Sequence, residues 1–333
     1  MRLLGYCHMC GIAGIMRTDG KPIEQTWLDH MDQRIAHRGP DGSGSFRDRV
    51  RLTTEQATHT IEVALIHRRL SVIDPAGGEQ PMVSERGRSD EHGLVAVVFN
   101  GCIYNHRDLR RELQAAGHEF QTDHSDTEVL IHGYREWGPA FEDHLEGMYA
   151  FALWDRANGR MMLCRDRFGE KPLFLRWGLD GDQQALAFSS DAMALANLGG
   201  EALPRDQRAL ERWTETYLQL GYNWTGCTIY DGFSFNDDGK GTGVYALPPT
   251  IVDKSSELIP EKPTRETPPI EFERLIENAV QQRLEADVPL GCFLSGGVDS
   301  SLIAAFAKRH KPDLQTFSVR MGDARYDESE HAE

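Results

Sequence analysis

No stretch of this 333-residue chain is apolar for long enough to cross a bilayer, which argues against a helical membrane span. Basic residues are scarce: 36 Lys and Arg stand against 52 Asp and Glu, a formal net charge of −16. That balance argues against nucleic acid as the main partner, because phosphate backbones bind to basic fields. It leaves room for a local anion site built from backbone N–H groups. Cysteine is sparse as well, six in all. Residues 1–8 are too short and too poor in apolar side chains for a secretory signal, so a cytoplasmic location with reduced thiols is expected. Cys7 and Cys10 spell C-x-x-C, but one such pair without a second, and without a preceding strand, is weak evidence for zinc or redox chemistry. No internal repeat is visible. What remains is ordinary globular composition, 40% apolar and 26% charged, at a length suited to two domains.

Short apolar runs at Leu94–Phe99, Tyr149–Trp154 and Met161–Cys164 read as strands buried in a layered sheet core. Two helices are expected between the first and second runs. One follows Asn105, with Leu109, Leu113 and Ala116 at helical spacing, and stops at Gly117. The other opens on a capping box, Ser125-Asp126-Thr127-Glu128, and carries Val129, Leu130, Tyr134 and Trp137. Residues 231–268 are dense in Gly, Asp and Pro and read as a long irregular connection. An amphipathic helix then begins at Pro269, with Phe272, Leu275, Ile276, Ala279 and Val280 on one face. Strand Val288–Leu294, helix Ser301–Lys308 and strand Leu314–Arg320 follow as one βαβ unit.

The chemistry begins at Met9-Cys10-Gly11-Ile12-Ala13-Gly14-Ile15, a cysteine directly after a methionine at the head of a Gly-rich strand. Trimmed to start at Cys10, the chain would present a thiol nucleophile together with an α-amine able to act as its base. An acylated Cys10 nitrogen has no such basicity. Residues 1–9 are therefore expected to be an extension absent from the working protein. Taken alone, Cys10 has the commonest fate of a free cysteine, a small buried hydrophobe.

Its company is more specific. His37-Arg38-Gly39-Pro40-Asp41-Gly42, Arg69-Leu70-Ser71, Asn100-Gly101-Cys102-Ile103-Tyr104-Asn105, Ser125-Asp126-Thr127-Glu128 and Arg165-Asp166-Arg167-Phe168-Gly169-Glu170-Lys171-Pro172-Leu173 follow in order. With the Cys10 strand, these make residues 9–190 resemble the glutaminase domain of class II glutamine amidotransferases, in the version found in glutamine-hydrolysing asparagine synthetases. The resemblance implies an α+β N-terminal-nucleophile sandwich of αββα layers. It implies Cys10 as nucleophile, and the Asn100 side-chain amide with the Gly101 N–H as oxyanion donors. It also implies a glutamine-binding set of Arg69, Leu70, Ile73, Asn100, Gly101 and Asp126. Within that set Arg69 takes the α-carboxylate and Asp126 the α-ammonium. The family motif is usually NGEIYN, whose glutamate also meets the ammonium; here Cys102 stands in its place.

A second constellation, Leu294-Ser295-Gly296-Gly297-Val298-Asp299-Ser300-Ser301, lies between a strand and a helix. Two glycines let backbone N–H groups and a helix N-terminus face an anion, while Ser295 and Ser300 add hydroxyls. No lysine follows the glycines, so this is not the Walker pattern. It resembles the pyrophosphate loop of the ATP-pyrophosphatase ligases. That likeness implies ATP bound by Leu294, Ser295, Gly296, Gly297, Asp299 and Ser300, with Mg²⁺ on Asp299. In the synthetases, aspartate attacks ATP to form an acyl-adenylate, which ammonia from the first site then amidates.

The expected organisation is an extension over 1–9, a glutaminase domain over 10–200, a junction over 201–268 and the start of an α/β ATP domain over 269–333. That last stretch holds a single βαβ unit, so synthesis by this chain alone is not expected, and loose packing is. The expected partners are glutamine, ATP and aspartate, with neither nucleic acid nor membrane, and a homodimer is allowed. Two other readings stay open: another amide-forming ligase of the same architecture, and a non-catalytic binding module.

Overall fold

The computed structural model describes residues 9–53, 58–84, 93–179, 182–196, 198–199, 207–220, 233–235, 242–246, 250–251, 269–323 and 327–332. They form two units, divided after Glu257.

The first unit opens with β1 (Gly11–Arg17), buried at every position, and α1 (Gln25–Ile35). β2 (Gly42–Thr53) and β3 (Thr58–Arg69) pair along their whole length, from Gly42↔Arg69 to Thr53↔Thr58. Next come β4 (Met82–Ser84), β5 (Val95–Ile103), α2 (His106–Ala115) and α3 (Asp126–Trp137). β6 (Gly147–Asp155), β7 (Arg160–Arg165), β8 (Phe174–Leu179), β9 (Asp182–Ser189) and α4 (Ala192–Leu195) follow. α5 (Gln207–Leu220) and the strands β10 (Phe233–Phe235), β11 (Thr242–Ala246) and β12 (Thr250–Ile251) close the unit. The described strands of this unit make two antiparallel sheets, ordered β10-β8-β9-β1-β3-β2 and β12-β11-β7-β6-β5-β4.

The central strands are apolar on both faces because each sheet is covered twice. Between the sheets pack Ile12, Leu65, Val98, Ala152, Trp154 and Phe188. The outer face of the first sheet, with Ile15, Ala64 and Ala187, meets Leu28, Met31 and Ile35 of α1 and Leu195 of α4. The outer face of the second, with Val97, Phe99 and Phe151, meets Leu109 and Leu113 of α2 and Leu130 of α3. Helix, sheet, sheet, helix is the αββα order that the sequence resemblance implies.

Two local readings are corrected here. The capping box does not close: Ser125 makes no side-chain cap, and its Oγ is buried without a protein partner. Glu128 turns instead to the preceding turn, accepting from the N–H groups of Gln121 (2.7 Å) and Thr122 (2.8 Å) and from the Thr122 hydroxyl (2.5 Å). Burial alone would raise the Glu128 pKa; hydrogen bonds from His132, Thr122 and those N–H groups outweigh it and bring it to about 2. The stretch read as irregular also contains strands. β10 pairs with β8 and β11 with β7, so this segment extends both sheets at their edges. Its glycines and prolines hid runs of only two to five strand residues.

The second unit comprises α6 (Pro269–Gln282), β13 (Gly291–Phe293), α7 (Val298–His310) and β14 (Gln315–Phe317). β13 and β14 pair in parallel across α7, which is the expected βαβ unit. Its buried core is small: Val280, Phe306, Ala307 and Leu314. The apolar face of α6 is only partly covered, with Val280 buried but Phe272 and Leu275 more than half exposed.

Trp154 is fully buried between the sheets of the first unit and donates through Nε1 to Asp48 Oδ2 at 2.9 Å. Trp154→Ala is expected to lower unfolding free energy by about 3–5 kcal/mol. Phe168→Ala, at an 85% exposed side chain, should stay within about 0.5 kcal/mol. Urea unfolding midpoints of the two variants check the contrast.

Candidate active site

Cys10 sits at the entry to β1, and the main chain of Leu70, just past β3, holds its thiol. The Leu70 N–H donates to Sγ at 3.3 Å, and Sγ lies 3.5 Å from the Leu70 carbonyl. Arg38 Nε donates to the Cys10 carbonyl at 3.1 Å. The loops on either side are tied together: the Asp41 N–H donates to the Arg69 carbonyl at 2.9 Å, and the Ser71 N–H donates to Asp41 Oδ2 at 2.9 Å. The His37–Gly42 and Arg69–Ser71 motifs, far apart in sequence, are one clasp around the thiol.

Arg69 is buried, and three backbone carbonyls surround its guanidinium. Nη1 donates to Pro75 (2.8 Å), and Nη2 to Asp74 (2.6 Å) and Ile73 (3.3 Å). The loop after β3 is thus folded around the arginine, which puts Leu70 and Ile73 beside it. On β5, Asn100 is 1% exposed and its Nδ2 has no protein partner. Gly101 follows it opposite Tyr149 of β6, where a Cβ would run into the Met148 carbonyl. Asp126, buried in the first turn of α3, accepts from the Ile103 N–H at 3.1 Å. Cys102 is buried on β5 next to that contact.

The charges converge on the thiol. Burial pushes the Cys10 pKa up; the Leu70 N–H opposes this, the Asp126 carboxylate adds to it, and the Arg69 and Lys171 cations oppose it. The thiol is therefore held protonated at neutral pH, and attack needs a base beside it. Within this chain the Cys10 nitrogen is an amide bonded to Met9.

Among the described residues, two charged or titratable groups at the site escaped the sequence reading. Lys171 is buried and places Nζ 3.2 Å from Met9 Sδ. It lies in the Arg165–Leu173 motif, to which sequence assigned no role. His67 is fully buried on β3 and donates through Nε2 to the Phe99 carbonyl at 3.2 Å, linking the sheets one residue before Asn100. Burial holds its pKa down at about 3, against a backbone hydrogen bond that favours the cation. Its only sequence signal was its place two residues before the Arg69-Leu70-Ser71 motif.

Residues 9–234 match the family model described as the glutamine amidotransferase domain. The chain belongs to that family. Residues 271–333 match the model described as asparagine synthase. Among curated proteins, the chain is 33% identical over 303 residues to asparagine synthetase [glutamine-hydrolyzing] 1 of Arabidopsis thaliana, covering 91% of this chain and 42% of that one. It is 34% identical over 304 residues to the asparagine synthetase [glutamine-hydrolyzing] of Zea mays, with the same two coverages. The chain thus spans about two fifths of the length of these relatives. A solved glutamine phosphoribosylpyrophosphate amidotransferase of B. subtilis aligns at a TM-score of 0.44 and 17% identity, covering 93% of this chain and 65% of that one.

In this amidotransferase-family chain the second constellation forms the turn between β13 and α7. The Leu294 N–H donates to the Phe317 carbonyl at 2.9 Å, and Gly296 has φ of +83°. Gly297 is the N-cap of α7 and supplies no side-chain cap to the first-turn N–H groups. Ser295 and Ser300 meet Oγ to Oγ at 3.0 Å, and Ser300 Oγ donates to the Gly297 carbonyl at 3.1 Å. Asp299 is exposed in that first turn. These groups suit an anion. Among the described residues no cluster of three or more His, Cys, Asp or Glu side chains could hold a metal ion. A divalent cation here would have to share Asp299 with ligand oxygens, which is how Mg²⁺ is commonly held against phosphates.

The depressed His67 pKa sets a pH dependence. An unfolded histidine takes up a proton below about 6.5, whereas the folded one resists until about 3. Stability contributed by neutral His67 is therefore complete above the unfolded value and lost as pH falls through that window. His67→Gln, which keeps a donor for the Phe99 carbonyl, should flatten the slope between pH 6.5 and 5 by up to about 1.4 kcal/mol per pH unit. Urea unfolding at several pH values measures it.

Proposed function

We propose that the first unit hydrolyses glutamine to glutamate and ammonia, in a working form whose first residue is Cys10. The buried Asn100 Nδ2 without a protein partner carries this reading. An unpaired buried donor costs a fold about 1–3 kcal/mol, and a charge that develops only during reaction gives such a group a purpose.

In this mechanism the free α-amine of Cys10 takes the thiol proton as sulfur attacks the side-chain amide carbon of glutamine. Asn100 Nδ2 and the Gly101 N–H receive the oxyanion. The Arg69 guanidinium holds the α-carboxylate and Asp126 the α-ammonium, with Leu70 and Ile73 lining the loop that carries Arg69. Collapse of the tetrahedral species passes a proton to the leaving nitrogen and releases ammonia. Water then hydrolyses the thioester and restores the thiol. Support comes from the charges of Arg69, Asp126 and Lys171 acting together on Cys10.

We further propose that the ammonia serves ATP-dependent amidation of aspartate through an acyl-adenylate, as the names of the relatives suggest for those proteins. ATP would lie on Leu294, Ser295, Gly296, Gly297 and Ser300, with Mg²⁺ shared by Asp299 and the phosphates. The extension over 1–9, the domain limits at 200 and 268, a homodimer and a cytoplasmic location belong to the same reading.

Ammonia release from glutamine tests it. The Cys10-first protein should be active, the Met1-first chain inactive, and Cys10→Ala of the former inactive. Asn100→Ala should lower kcat by about 10²–10³. No ammonia from the Cys10-first protein would refute the proposal. At the neutral Cys102 position, Cys102→Glu supplies a second carboxylate for the substrate ammonium. It should lower KM for glutamine with a smaller change in kcat, measured by the same assay.

A further inference from the structure

Phe99 immediately precedes the oxyanion residues; it stands opposite Phe151 of β6, and on its other edge both its N–H and its carbonyl are held by side chains rather than by β4. β4 pairs with β5 only as far as Met82↔Val97, so two residues further on Phe99 has passed the end of that ladder. Its N–H donates to Gln80 Oε1 at 2.6 Å, and its carbonyl accepts from His67 Nε2 at 3.2 Å. The other end of the Gln80 amide, Nε2, donates to the Thr127 hydroxyl at 3.1 Å. Thr127 is 2% exposed and follows Asp126 in the first turn of α3. Gln80 is itself 9% exposed, and its backbone lies so close against Gly44 of β2 that a Cβ there would run into the Gln80 carbonyl.

We infer that Gln80 is a positioning residue that locks the oxyanion strand at Phe99–Gly101 to the ammonium-binding turn at Asp126–Thr127. The inference rests on the glutaminase reading of this site and goes beyond it, because Gln80 touches neither the thiol nor any group assigned to substrate. A primary amide suits this role, since one end accepts from a main-chain N–H and the other donates to a hydroxyl. The two groups it joins are 28 residues apart in sequence (99 against 127) and lie on different elements, β5 and α3. With the brace in place, glutamine meets its oxyanion donor and its ammonium partner at a fixed separation. Preorganisation of that kind lets an oxyanion hole act without reorganising during reaction.

Two nearly isosteric variants of the Cys10-first chain separate the ends of the brace. Gln80→Met removes both hydrogen bonds and should lower kcat by about tenfold to a hundredfold while raising KM. Thr127→Val removes only the α3 end, so KM should rise with a smaller loss of kcat. The double variant should behave as Gln80→Met alone, since no bond remains for the second change to break. Independently of activity, hydrogen exchange at the Phe99 amide should quicken by about tenfold or more in Gln80→Met and stay as in the wild type in Thr127→Val. Wild-type kcat and KM in a folded Gln80→Met protein, additive losses in the double variant, or unchanged Phe99 exchange would each overturn the inference. If the wild type releases no ammonia, the glutaminase reading fails. The exchange comparison then still decides whether the brace exists, and the positioning role falls with the reaction.

Discussion

The packing of the Arg69 guanidinium against three carbonyls of its own loop is the contact on which the site depends. A buried guanidinium must satisfy its donors, and here Ile73, Asp74 and Pro75 do so. That requirement curls the chain back directly after β3. The curl brings the Leu70 main chain onto the Cys10 thiol and Ser71 onto Asp41. A few residues on, it delivers Gln80 to Phe99. One side chain thus fixes the main-chain partner of the Cys10 thiol and the approach of Gln80 to Phe99. Lysine could not substitute, since an ammonium lacks the planar fork that spans carbonyls on three successive residues.

Under the proposed glutaminase function, Arg69 would have two roles that compete for the same donors. Those spent on the loop are closed to a substrate carboxylate, so such a clamp would work only with the rest of the fork. In compensation, the loop is rigid before substrate arrives. Substrate binding then need not supply the ordering of residues 70–78, a cost that grows with every residue immobilised.

Much of this was legible in the sequence, for reasons that differ by level. The strands at 95–103, 147–155 and 160–165 showed as apolar runs because they are covered on both faces. The motif residues Cys10, Arg69, Asn100, Gly101 and Asp126 stood out because their types and order are restrictive. β10–β12 did not, because runs of two to five residues are too short to show a periodic signal. The Ser125–Glu128 box failed because Glu128 found better donors in Gln121 and Thr122 than in the helix start it was matched to. Gln80 and His67 were illegible for a different reason: each is defined by a contact across the fold, Gln80 to Phe99 and Thr127 and His67 to Phe99, and no local pattern encodes it.

The polar groups around Asn100 carry a common logic. His67 is kept neutral in the core with Nδ1 unpaired, and Asn100 on β5 keeps a donor unpaired one residue beyond the peptide that His67 holds. A fold selected for stability alone would pair or remove both, since each orphan weakens it. Their neighbours do the opposite of relaxing: the Phe99 peptide between them is held at both its N–H and its carbonyl. Rigid support around an unsatisfied acceptor, His67 Nδ1, and an unsatisfied donor, Asn100 Nδ2, is what distinguishes a preorganised site from a packing defect. A defect would relax toward the nearest acceptor, whereas Asn100, one residue from a doubly held peptide, has little freedom to do so.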